Sequence, residues 1–208
     1  MQVLVPPEAV LTEEAITRVD ALDKVLGRTK YTTDLMQKDV LYVRIVRSIH
    51  AHAMIKGIDL TAAEKVSGVV KVVTATDVPG SNDIGFFIQD QPLFCRDKVR
   101  FIGDAVAMVV ADSPEAAELG VQAVRVDYEP LPGIFDPEEA LDEGAIKIHN
   151  KGNKLDTQFL KKGDVERGFA EADFILSGTY KTPIQEQAYL ETEAALAFQP
   201  DAKLLLLT

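Results

Sequence analysis

The sequence predicts a mixed α+β fold, and three observations predict it. Residues 41–47 (Leu41-Tyr42-Val43-Arg44-Ile45-Val46-Arg47) alternate loosely between apolar and basic side chains, the period of a strand with one face toward a core. Residues 69–74 are β-branched almost throughout, and residues 105–111 form an apolar run suited to burial on both faces. One proline-started helical pattern follows that run, and no regular strand–helix alternation repeats along the chain, which separates this fold from a doubly wound parallel sheet.

Taken in order, residues 41–47 are the first strand. Thr61 is placed to cap a short helix over residues 60–66, ended near Gly68. Residues 69–74 make a second strand, closed by the turn Asp77-Val78-Pro79-Gly80, and residues 79–92 read as loop. Residues 99–101 and 105–111 are two strands separated by Gly103-Asp104, the second at the centre of a sheet. Asp112-Ser113-Pro114-Glu115 supplies a side-chain cap and a first-turn proline, so a helix runs over 114–123 on small residues suited to close packing. Residues 124–129 alternate as the strand that completes a strand–helix–strand unit. The composition breaks at Pro130-Leu131-Pro132-Gly133, in an acidic stretch where residues 112–143 carry ten acids and one base. Beyond it, residues 164–172 read as a capped amphipathic helix, and 174–182, 194–199 and 204–207 as strands.

A chain of 208 residues, 47% hydrophobic and 26% charged, is long enough to bury a core without disulfides or a structural metal, in one or two domains. Its single cysteine, Cys95, excludes an internal disulfide and any multi-cysteine zinc or iron–sulfur site, so a cytoplasmic protein is expected. No apolar run approaches the length of a membrane span, and residues 1–17 lack the basic start of a secretory signal. The formal charge is −11, with 19 acids and 9 bases in residues 105–208, a field that repels nucleic-acid backbones.

Motifs with a mechanism are mostly absent. None of the 13 glycines lies two residues from another, which removes G-x-G-x-x-G, and there is no Walker loop, H-E-x-x-H, C-x-x-C or G-x-S-x-G. His50 and His52, two apart, would share one strand face at a spacing that suits two metal ligands, but only His149 and Cys95 could join them. They read as structural, held by local hydrogen bonds. Cys95, beside Arg96 and Lys98, reads as a small buried residue rather than an activated thiol. Residues 185–193 gather Gln185, Glu186, Gln187, Glu191 and Glu193, and chemistry alone does not separate a ligand-positioning cluster from a solvated turn. No catalytic, cofactor-binding or metal-ligating residue is assigned.

Several segments carry a resemblance. They are residues 18–27 (Arg18-Val19-Asp20-Ala21-Leu22-Asp23-Lys24-Val25-Leu26-Gly27), Ser48-Ile49-His50-Ala51-His52-Ala53, residues 98–107, Ala111-Asp112-Ser113-Pro114-Glu115-Ala116-Ala117 and Val126-Asp127-Tyr128-Glu129-Pro130-Leu131-Pro132. Gly163-Asp164-Val165-Glu166, Phe169-Ala170-Glu171-Ala172-Asp173 and the stretch from Gln185 to Ala197 extend it. In this order they resemble the opening of the molybdenum-binding large subunit of the xanthine dehydrogenase and aldehyde oxidoreductase family. The resemblance implies an N-terminal extension over 1–17, an α/β hammerhead domain over 18–132, and the beginning of a first molybdopterin-binding domain over 133–208. It implies a molybdenum hydroxylase that oxidises a purine, another N-heterocycle or an aldehyde with oxygen from water. Electrons would leave through iron–sulfur clusters, and in some members FAD, on partner domains or subunits. It also implies that the cofactor-facing glutamine, the glycine–phenylalanine–glycine loop and the catalytic glutamate of the family lie outside these 208 residues, so that the chain is an inactive N-terminal portion. Where many relatives have a histidine two residues after the glutamine, this chain has Gln187, and that histidine's role does not carry over. A stand-alone acidic interaction module that kept the fold and lost the chemistry is the alternative. Residues 174–207, apolar and cut from their partners, are expected to self-associate or fold back on the hammerhead domain.

Overall fold

A computed structural model describes residues 18–36, 38–85, 88–189, 193–198 and 205–207. In chain order the elements are α1 (Ala21–Val25), β1 (Tyr42–Arg47), β2 (Ala53–Asp59), β3 (Val69–Thr74), β4 (Asp83–Ile84), β5 (Gln91–Pro92) and β6 (Lys98–Val99). There follow β7 (Ala105–Ala111), α2 (Pro114–Ala123), β8 (Arg125–Pro130), α3 (Val165–Glu171), β9 (Leu196–Phe198) and β10 (Leu205–Leu207). The described residues divide into two compact units, one within Asp39–Thr182 and the other drawn from Met1–Lys38 and Pro183–Thr208.

The larger unit holds two three-stranded antiparallel sheets, ordered β1-β7-β3 and β6-β2-β8. The apolar run of β7 explains its central place: Val106, Ala107, Val109 and Ala111 are fully buried, and Val109 pairs with both Arg44 and Val72. The helix α2 lies against β1, β7 and β3. Ser113 caps it, its hydroxyl accepting the Ala116 N–H at 3.3 Å, and Pro114 opens it where no intrahelical donor is needed. Its buried face is Ala116, Ala117 and Gly120. A Cβ at Gly120 would stand 2.6 Å from Val109 Cγ1 and 2.9 Å from Val69 Cγ2, so this approach of helix to sheet requires glycine. The second sheet closes its own core of Ala53, Cys95, Val99 and Val106, with Tyr128 and Val126 against it, and Val126 packs on the first core as well. Each fully buried valine contributes roughly 1.5–3 kcal/mol by leaving water.

Several expectations need correction. Residues 60–66 form only a 3-10 turn at Ala63–Lys65, and Thr61 is the donor: its N–H goes to Asp59 Oδ1 at 2.9 Å. The strand expected over 99–101 is Lys98–Val99, because the Arg100 N–H turns to Asp104 Oδ2 at 2.7 Å and leaves Phe101 exposed in a bend. The expected loop 79–92 contains the hairpin β4–β5. It is anchored by buried Asn82, which donates to the Phe94 carbonyl at 2.9 Å and accepts the Phe94 N–H at 3.2 Å. Residues 174–182 are not a strand; Phe174, Leu176 and Tyr180 are almost fully exposed, and no other described segment pairs with them to supply a ladder. Of the last two expected strands, Leu196–Phe198 and Leu205–Leu207 pair antiparallel; Gln199 and Leu204 lie outside the described residues. The expected segment 1–17 is also outside them.

Candidate functional site

The two histidines sit in the bend between β1 and β2 rather than on a strand, and their rings go to different partners. His50 meets the Tyr128 ring edge-on, with centroids 5.0 Å apart. Its backbone is held by Ser48, whose hydroxyl accepts the His50 N–H at 3.0 Å and donates to the His50 carbonyl at 2.9 Å. His52 is buried, and its Nδ1 lies 2.7 Å from the Pro132 carbonyl. A carbonyl only accepts, so Nδ1 carries the proton, and Nε2 is buried without a partner. That bond spans 80 residues, so the ring is held by a long-range contact and not a local one, tying the bend to the end of β8. His149 lies elsewhere, its Nδ1 3.0 Å from Asp90 Oδ2. Among the described residues no three His, Cys, Asp or Glu side chains gather around a common point.

Cys95 is a free thiol, 1% exposed, in the core of the second sheet. Burial first, then the charge and hydrogen bond of Asp104, push its pKa up to about 12, outweighing Arg100. It is therefore inert at neutral pH. Residues 185–189 and 193 are exposed, with the Ala188 N–H 3.4 Å from Glu186 Oε1. Glu191 lies outside the described residues.

Concave and polar ground is found beside β6. A cleft of about 620 Å³ is lined by Arg96, Lys98, Arg100, Asp83, Asp97 and Asn150. Lys98 Nζ donates to the Ile148 carbonyl at 2.6 Å, and burial, then the neighbouring Arg100 charge, hold its pKa below the ordinary lysine value. Arg100 Nη1 donates to the Lys98 carbonyl at 3.3 Å, while its Nε–H is buried without an acceptor. Sequence reasoning missed the cleft, because Arg96 and Asp97 lie in a bend and only Lys98 in β6, so no regular period marks its lining.

Two antiparallel sheets that share Val126 between their cores, one of them covered by a small-residue helix, define an α/β hammerhead domain. The family described as aldehyde oxidase and xanthine dehydrogenase, a/b hammerhead domain, matches residues 26–132, and a molybdopterin cofactor-binding domain matches residues 148–207. The chain belongs to the aldehyde oxidase and xanthine dehydrogenase family. It is 41% identical to a probable xanthine dehydrogenase subunit of Bacillus subtilis, over 92% of this chain and 26% of that protein. It is 35% identical to the nicotinate dehydrogenase large molybdopterin subunit of Eubacterium barkeri, over 90% of this chain and 44% of that one. Among solved structures, the aldehyde oxidoreductase of Desulfovibrio gigas aligns with a TM-score of 0.65 at 35% identity, over 76% of this chain and 19% of that chain. The chain thus spans between about a quarter and under half the length of these curated relatives. The names found are those of molybdenum-enzyme subunits and oxidoreductases, and nothing in them supports an interaction module without chemistry. Among the described residues no helix is long and apolar enough to cross a membrane.

Within the segment that matches the cofactor-binding domain, every described residue from 154 to 189 is exposed, so these residues by themselves do not enclose a pterin.

Proposed function

We propose that this chain supplies the hammerhead domain (18–132) and the opening of the first molybdopterin-binding domain (133–208) to a molybdenum hydroxylase. That enzyme oxidises a purine, another N-heterocycle or an aldehyde with water-derived oxygen. The observation that carries the reading is the succession, in one chain, of the hammerhead match over 26–132 and the cofactor-domain match over 148–207. Iron–sulfur clusters, and FAD where it is the acceptor, belong to partner domains or subunits, and the assembly works in the cytoplasm. Cofactor contacts and the reacting base come from outside these residues, and what this chain contributes is architecture. Lys98, through the Ile148 carbonyl, and Asn153, which donates to the Ala140 and Ile146 carbonyls and accepts the Ile148 N–H, hold residues 140–153 to each other and to β6. The exposed Phe174, Leu176 and Tyr180 are the surface that the remainder of the subunit covers, and without it the chain self-associates there.

The test is co-expression of this chain with the remaining length of a relative's molybdenum subunit and that relative's iron–sulfur partner. The co-purified assembly is expected to contain molybdenum and to oxidise hypoxanthine, nicotinate or an aldehyde, and the chain alone to contain no molybdenum and to form concentration-dependent oligomers in light scattering. Stoichiometric molybdenum or turnover in the chain alone would overturn the proposal.

A further inference from the structure

We propose that the cleft beside β6 is a binding site for a small, multiply charged phosphate compound. Arg96 in the bend before β6, Lys98 in β6 and Arg100 just after it all line the cleft, while Cys95 and Val99 between and beside them are buried. None of the three has a carboxylate oxygen at ion-pair distance among the described residues, although the chain as a whole carries a charge of −11. Three cations outside any ion pair, around a cleft of about 620 Å³ in an acidic protein, have the dimensions of a small-ligand site.

The choice of ligand follows from the remaining groups. Asp83 and Asp97 share the lining and leave three positive against two negative side chains. A monocarboxylate would gain one attraction and meet both acids, whereas a diphosphate carries enough charge to engage all three cations at once. Arg100 suits this: its guanidinium lines the cleft, held there by the bond of its Nη1 to the Lys98 carbonyl, and a guanidinium's planar donors match phosphate oxygens. Asn150 adds an amide at the far wall.

Titration calorimetry with inorganic pyrophosphate against the whole chain tests this. One saturable site is expected, weakened on the order of tenfold when sodium chloride rises from about 50 to about 500 mM. Arg96→Gln, whose side chain is exposed and leaves the fold intact, and Arg100→Gln should each weaken binding at least about fivefold. Arg44→Gln, whose side chain pairs with Glu118 on α2, should leave it unchanged. Absence of saturable heat, equal affinity in Arg96→Gln, or succinate binding as tightly as pyrophosphate would overturn the proposal.

Discussion

Raising the pH should destabilise this protein through one buried thiol, in a way that a single substitution removes. Cys95 is 1% exposed, and its pKa is pushed from 9.0 up to about 12, chiefly by burial and then by Asp104. In the unfolded chain the thiol ionises near 9.0, so between that value and about 12 the folded state holds a proton that the unfolded state has released. Stability is therefore unaffected by this group below about pH 8 and falls as the pH rises through 9 toward 12. At pH 10 the loss amounts to roughly 1 kcal/mol relative to pH 8. Tyr128, whose pKa burial also raises, adds a decline of its own. Cys95→Ala carries a cavity cost that does not vary with pH, and it removes the thiol's contribution together with the Cys95 charge that helps raise Tyr128, leaving Tyr128's larger burial effect in place. Urea denaturation followed by far-UV circular dichroism at pH 8, 9 and 10 should show wild type losing about 1 kcal/mol more than Cys95→Ala over that range. Parallel losses in the two proteins would refute the reasoning. A second reading comes from thiol labelling at pH 8, which should be at least about a hundredfold slower in native protein than in guanidinium.

Gly120→Ala sets a helix-propensity gain of about 1 kcal/mol against an overpacking cost of roughly 1–3 kcal/mol, because the new methyl would meet Val109 and Val69. A net loss in urea denaturation is expected, and a gain would show that helix and sheet are not in close contact there. Ser113→Ala removes the cap of α2 and should cost about 1 kcal/mol in the same assay, with Ser113→Asp restoring most of it. Replacing His50 and His52 together with Gln should lower stability by roughly 0.5–3 kcal/mol, since the His52 tie to Pro132 is lost. The same change in a full-length relative should leave its molybdenum content unaltered, and selective molybdenum loss at unchanged melting temperature would assign these residues a cofactor role instead.

What could be read from the sequence is what local chemistry determines. β7 announces itself because burial on both faces admits only apolar residues, and α2 because Ser113 and Pro114 start it in the way a helix start requires. β2 went unread because its pairing with β8 slips between Ile55 and Gly57, so that Lys56 and Gly57 break the period-two pattern in the strand at the centre of its sheet. The hairpin β4–β5 depends on Asn82 reaching the backbone of Phe94, twelve residues on, and residue type alone does not reveal such a contact. Residues 174–182 show the converse: their composition is that of a strand, but a strand is a relation between two segments, and the described residues offer them no partner. The same logic separates the two candidate sites. His50 and His52 stand together in sequence at a ligand spacing and part in space, because Tyr128 takes one ring and Pro132 the other. Arg96, Lys98 and Arg100 look like scattered surface charge, and no period gathers them: Arg96 and Asp97 lie in a bend, Lys98 in β6 and Arg100 beyond it, and the fold brings all four to one cleft. A ligand spacing in sequence was thus a poor guide to a shared site, because the partners that orient each side chain come from elsewhere in the fold.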